Sequence, residues 1–163
     1  MKKIDRILMF LVLILCIGCS SPADKSAEET SQNDLQGFDE ELAKELDADD
    51  YGMKQYVMAF LKAGPNQSMD STRAANLQRA HLDNIGRLAE EGKLVLAGPF
   101  MDSGEMRGIY VFDVRTIEEA RELTETDPAI EAGRLEMELR PWYGSAALMQ
   151  MNEIHSKISK TNP

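Results

Sequence analysis

An α+β fold, with an antiparallel sheet covered on one face by two helices, is what this sequence predicts. Three observations carry the reading. Segments at helical apolar spacing and segments that read as strands follow one another as strand, helix, strand, strand, helix, strand. The strands at 54–62 and 93–97 are apolar on both faces, as is most of 108–114. The strand at 134–140 instead alternates cleanly between apolar and charged side chains.

Each element has its own signal. Lys54–Lys62 (KQYVMAFLK) sets Tyr56, Met58 and Phe60 against Val57, Ala59 and Leu61, so both faces must be covered. Gly64-Pro65-Asn66 breaks it, and Asp70 or Ser71 caps a helix that runs to Glu91. Ala74, Leu77, Ile85 and Leu88 form its apolar face, and Gly92 supplies the left-handed residue that ends it. Lys93–Ala97 (KLVLA) is the second strand, and a loop around Asp102-Ser103-Gly104 leads to the third, Gly108–Val114 (GIYVFDV). Thr116-Ile117-Glu118-Glu119 has the form of a capping box opening a helix that ends before Pro128. The last strand, Arg134–Arg140, points Leu135, Met137 and Leu139 one way and Glu136, Glu138 and Arg140 the other, as at a sheet edge. The order is the ferredoxin-like βαββαβ pattern, whose first and third strands are central. Two helices cover one sheet face, so the other apolar face needs a partner; a homodimer packed sheet to sheet is the economical expectation.

The 163 residues leave room for one ordinary domain, expected at 51–144, plus extensions. Lys2, Lys3 and Arg6 precede an apolar run, Ile7–Ile17, too short to span a bilayer as an ordinary helix. It closes on Gly18-Cys19 and resembles a bacterial lipoprotein signal. The resemblance implies removal of residues 1–18 and acylation, palmitate included, of Cys19. With Ser20 following, it implies an outer-membrane anchor in the cell envelope, facing the periplasm. Both cysteines, Cys16 and Cys19, lie here, so no disulfide or thiol nucleophile is expected in the domain. Residues 19–50 read as a flexible tether: Ser20–Asp50 holds eleven acidic residues against Lys25 and Lys44, a net of −9. Within it, Phe38, Leu42 and Leu46 align as one short amphipathic helix. From Tyr51 to Gly144 there are eleven basic and fifteen acidic residues and no basic stripe, so nucleic acid is not an expected partner. Residues 145–163 read as a polar C-terminal tail.

The residue that carries most chemistry is His81, four after Leu77 and four before Ile85 on a core-directed helix face. An imidazole there is either a core histidine with a satisfied hydrogen bond or a buried acid/base. Asp127 before Pro128 reads as a cap with proline in the first turn of a short helix ending at Gly133. Because both helices cover the same sheet face, Asp127 is also placed to face His81. Gly98-Pro99 either ends a strand or lets backbone amides approach a ligand. Arg107 either reaches an anionic group or is solvated at a strand entrance. His155 is expected in solvent, and the methionines of LMQMN in helix packing or tail. No histidine and carboxylate set has ligand spacing, so neither metal nor cofactor is expected.

Four blocks, LKAGPN, QRAHLDNIGRLAEEGKLVLAGPF, RGIYVFDV and DPAIEAGRLEMELRPWYGS, are together similar to the YCII-related (YciI-like) domain. The resemblance implies a dimeric α+β barrel and an active-site histidine and aspartate, which by motif fall on His81 and Asp127. The export signal and tether depart from the small stand-alone form of that domain. The expected function is a small-molecule enzyme in which His81 moves the proton and Asp127 orients it, a cofactor-independent reaction of lyase or isomerase type. The alternative is a non-catalytic ligand-binding or interaction module held at the membrane by its lipid.

Overall fold

The computed structural model describes residues 37–161, so the apolar N-terminal segment, Cys19 and residues 20–36 of the acidic stretch lie outside the described residues. The chain divides into two units, Met1–Phe38 and Asp39–Pro163, and the fold is that of the second. No described helix is long and apolar enough to cross a membrane.

The unit opens with α1 (Glu40–Glu45), the short helix expected within the acidic stretch, capped by Asp39 accepting from the Leu42 N–H. The residues after it are docked: Asp47 pairs with Arg115 and lies 3.6 Å from the Lys54 ammonium, and Asp49 accepts from the N–H groups of Tyr51 and Met53. Then come β1 (Met53–Ala63), α2 (Ser71–Glu90), β2 (Leu94–Pro99), β3 (Met106–Phe112), α3 (Ile117–Thr124), α4 (Pro128–Glu131) and β4 (Leu135–Ser145). The sheet order is β2-β3-β1-β4 with every neighbouring pair antiparallel, the ferredoxin-like arrangement with β1 and β3 central. Asp70 caps α2 by accepting from the Arg73 N–H, and Gly92 follows it at φ 69°. Thr116 and Glu119 form both arms of the capping box on α3.

The helices press on one sheet face. Val57, Ala59, Leu61, Tyr110 and Phe112 of the central strands meet Leu88 and Ala120 from the helices, and Leu135, Met137 and Leu139 extend this layer along β4. The opposite side of β4 is charged as expected: Glu138 accepts from Lys62 and Arg140, and the Arg140 guanidinium lies 6.0 Å from the Phe60 ring centre. Lys62, then Arg140, hold the Glu138 carboxyl below the usual carboxylate range.

Two features differ from the sequence reading. β4 continues past Arg140 through Pro141 and Trp142 to Ser145, because an edge strand tolerates a proline whose missing N–H would have faced solvent. The segment expected as a tail forms a 3-10 turn (Ala146–Gln150) and α5 (Met151–Ile158). Leu148 and Met149 of that turn, with Trp142, pack on the second sheet face, where Tyr56, Val95 and Val111 are fully buried. Asn152 fixes α5 by donating to the Leu94 carbonyl at 2.8 Å. One end of the face assigned to a partner is therefore covered by this chain itself.

The loop after β1 and the turn before β4 are clamped together. The Gly64 N–H donates to the Arg134 carbonyl at 2.8 Å, and a Cβ at position 64 would sit 2.3 Å from the Gly133 oxygen, so no side chain fits. Asn66 donates through its backbone to Gly133 and through its side chain to Ala132, while Gln67 donates to the Arg134 carbonyl at 2.9 Å.

Candidate active site

α2 lies across the sheet with Leu88 against the core, and the same face carries His81 and Asn84 into buried positions. The short α4 is capped by Asp127, whose Oδ1 accepts from the Ala129 N–H at 2.8 Å. Its other oxygen, Oδ2, is 2.7 Å from His81 Nδ1. The cap and the acid partner are thus one carboxylate, each oxygen with its own task. Both groups are withdrawn from water: His81 is 8% exposed and Asp127 1%. A carboxylate only accepts, so Nδ1 carries a proton toward Asp127, and in the neutral ring Nε2 is the acceptor.

Nε2 has a neighbour that sequence reasoning missed. The Tyr110 hydroxyl of β3 is 3.3 Å away, within hydrogen-bond reach. Burial, with the negative charge of Asp127 adding to it, pushes the Tyr110 phenol well above its ordinary range, so it stays an O–H donor. A signal for it existed: strand parity puts Tyr110 on the same face as Phe112, toward the helix that carries His81. A second polar set ties α2 to the turn that precedes α4. Arg87 donates to Asn84 at 2.8 Å and to the Thr126 hydroxyl at 2.9 Å, and Thr126 donates in turn to the Leu123 carbonyl at 2.7 Å. Asn84 and Arg87 follow His81 at steps of three, so the stripe was visible in the sequence, but its partner Thr126 was not.

His81 and Tyr110 border a cavity of about 470 Å³ between α2 and the sheet. Leu61, Leu82, Ile85 and Leu135 give it an apolar wall, and Gln67, Gln78, Arg107 and Arg134 give it polar ones. Gly98 and Pro99, at the end of β2, also line it, so the strand stops where the cavity begins. Asp127 stands behind His81, outside the lining. Arg107 is exposed, at the rim. His155 is exposed on α5. Among the described residues no three histidine, cysteine or carboxylate groups converge as a metal site.

Fold and site together define a small α+β domain with a buried imidazole–carboxylate pair beside an organic-sized cavity. The chain belongs to the YCII-related domain family, which it matches over residues 55–143, a span that holds His81, Tyr110 and Asp127. Uncharacterized protein YjpA of Bacillus subtilis (strain 168) is 34% identical over 62 residues, covering 38% of this chain and 71% of that protein. Among solved structures, the 5-chloro-2-hydroxyhydroquinone dehydrochlorinase TftG of Burkholderia phenoliruptrix, in complex with 2,5-dihydroxybenzoquinone, is similar at 20% identity with a TM-score of 0.42. The match covers 53% of this chain and 92% of that one.

Proposed function

We propose that this protein is a small-molecule enzyme that moves a proton in a lyase- or isomerase-type reaction, with His81 as the base and Asp127 as the residue that orients it. The observation that carries this reading is the 2.7 Å hydrogen bond from the Nδ1 of an imidazole that borders a cavity to a fully buried carboxylate. Asp127 fixes the tautomer, so the Nε2 lone pair is the one available. A carbon-bound proton taken by Nε2 gives an imidazolium whose two N–H groups donate to Asp127 and to the Tyr110 oxygen. The phenol proton is then free to hydrogen-bond to the oxygen on which the ligand's negative charge collects. These side chains can carry out each of these steps themselves.

The test is solvent exchange at carbon. In heavy water, a panel of small enolisable carbonyl compounds is followed by proton NMR for loss of C–H signal. Wild-type protein is expected to speed exchange of at least one, and His81→Gln to lower that rate by roughly two to four orders of magnitude with the melting curve preserved. A His81→Gln rate equal to wild type overturns the acid/base assignment. A wild type no faster than buffer leaves a binding module in its place.

The envelope address and the homodimer belong to the same proposal. Support for the address is the basic start, the short apolar run and the Gly18-Cys19 pair; mass spectrometry of the membrane fraction is expected to find an acylated N-terminus at Cys19. An unmodified N-terminus elsewhere removes the anchor. Support for self-association is the apolar part of the second sheet face that the C-terminal segment leaves half-open, at Met58, Phe60 and Ile109.

A further inference from the structure

We propose that the cavity takes a small organic monoanion, a carboxylate or its equivalent on an apolar body, with Arg134 as its main counter-charge. The inference rests on the same cavity as the proposed reaction and adds the class of ligand. The chain carries 28 acidic residues against 18 basic, yet the fourteen residues that line the cavity include two arginines and no aspartate or glutamate. Asp127 is outside the lining and engaged by His81. Such a lining inside an acidic protein is a local positive site.

Arg134 is built for the role. Its backbone is held on both sides: the carbonyl accepts from Gly64 and Gln67, and the N–H donates to Ala129 at 2.9 Å. Its half-buried guanidinium makes one long hydrogen bond, 3.3 Å to the Gln67 carbonyl, which leaves further donors for a ligand. Among the described residues neither Arg134 nor Arg107 lies within ion-pair distance of a carboxylate, whereas Arg87, Arg115 and Arg140 are neutralised by Glu91, Asp47 and Glu138. Leu61, Ile85 and Leu135 supply the apolar body's wall. A ligand anchored by its charge at Arg134 then lies between the rim and the His81–Tyr110 end.

Benzoate and benzamide, alike in size and shape and different in charge, are the probes. Titration of the full chain by ligand-observed NMR is expected to show benzoate bound at least ~10-fold more tightly than benzamide. Arg134→Gln is expected to bring the two within about twofold, Arg134→Lys to keep part of the preference, and Arg121→Gln, on the exposed surface of α3, to keep all of it. Equal affinities in the wild type, or a preference that survives Arg134→Gln, overturns the proposal. Binding needs no turnover, so a protein that exchanges no carbon-bound proton is still a full test of this ligand class.

Discussion

Two buried tyrosines on opposite sheet faces show how much a single hydroxyl depends on what surrounds it. The Tyr110 hydroxyl meets an imidazole and a cavity; the Tyr56 hydroxyl donates to the Ser145 carbonyl at 3.1 Å and feels the carboxylates of Asp113 and Asp47. Burial first, then those two charges, push Tyr56 from 10.0 up to about 12. The folded state thus keeps a proton that the unfolded chain has begun to release. The contribution of Tyr56 is complete below pH 10.0 and is lost as pH rises through about 12. The stability advantage of wild type over Tyr56→Phe, from chemical unfolding between pH ~8 and pH ~12, is expected to hold steady and then shrink across that interval. An advantage that is flat to the top of the range sinks the assignment. At this scale the sequence showed His81 and Asp127 because each broke a local rule or filled a cap. Tyr110 broke none: a tyrosine in an apolar strand is ordinary, and strand parity puts it on the helix face without placing it opposite His81.

At the scale of elements, the strands and helices were legible wherever one signal decided them. The cap at Asp70, the box at Thr116 and Glu119 and the left-handed Gly92 appear where local chemistry demanded them. What stayed hidden was long-range. Pro141 reads as a stop unless β4 is known to be an edge, and edge status comes from the sheet order. The bulge between Leu94 and Leu96 places Val95 and Leu96 together against the C-terminal side, a change of face that alternation does not show. The C-terminal segment was read as tail because it closes on the polar run SKISKTNP, and nothing local assigns a partner to its Leu148 and Met149. Their burial depends on a groove that Trp142 helps to make. The clamp of 64–67 on 132–134 was equally out of reach, although both its glycines stand in the blocks that carry the family resemblance.

For the whole molecule, the open question of assembly has a definite expectation. The covered end of the second face needs no partner, while Met58, Phe60 and Ile109 remain half-open. Light scattering on residues 39–163 is expected to give twice the monomer mass. A stable monomer at micromolar concentration means that the 3-10 turn and α5 already complete the face. The hydrogen bond between His81 and Asp127 has a further use at this scale. It joins residues 46 apart in sequence and ties α2 to the α4 cap, with the carboxylate on one side of the proton fully buried. Drawing α2 away from that cap breaks the bond and speeds exchange of the proton with solvent. A single downfield imidazole resonance should therefore act as a clock for breathing where those two helices meet, readable in the resting protein with no ligand or substrate at hand.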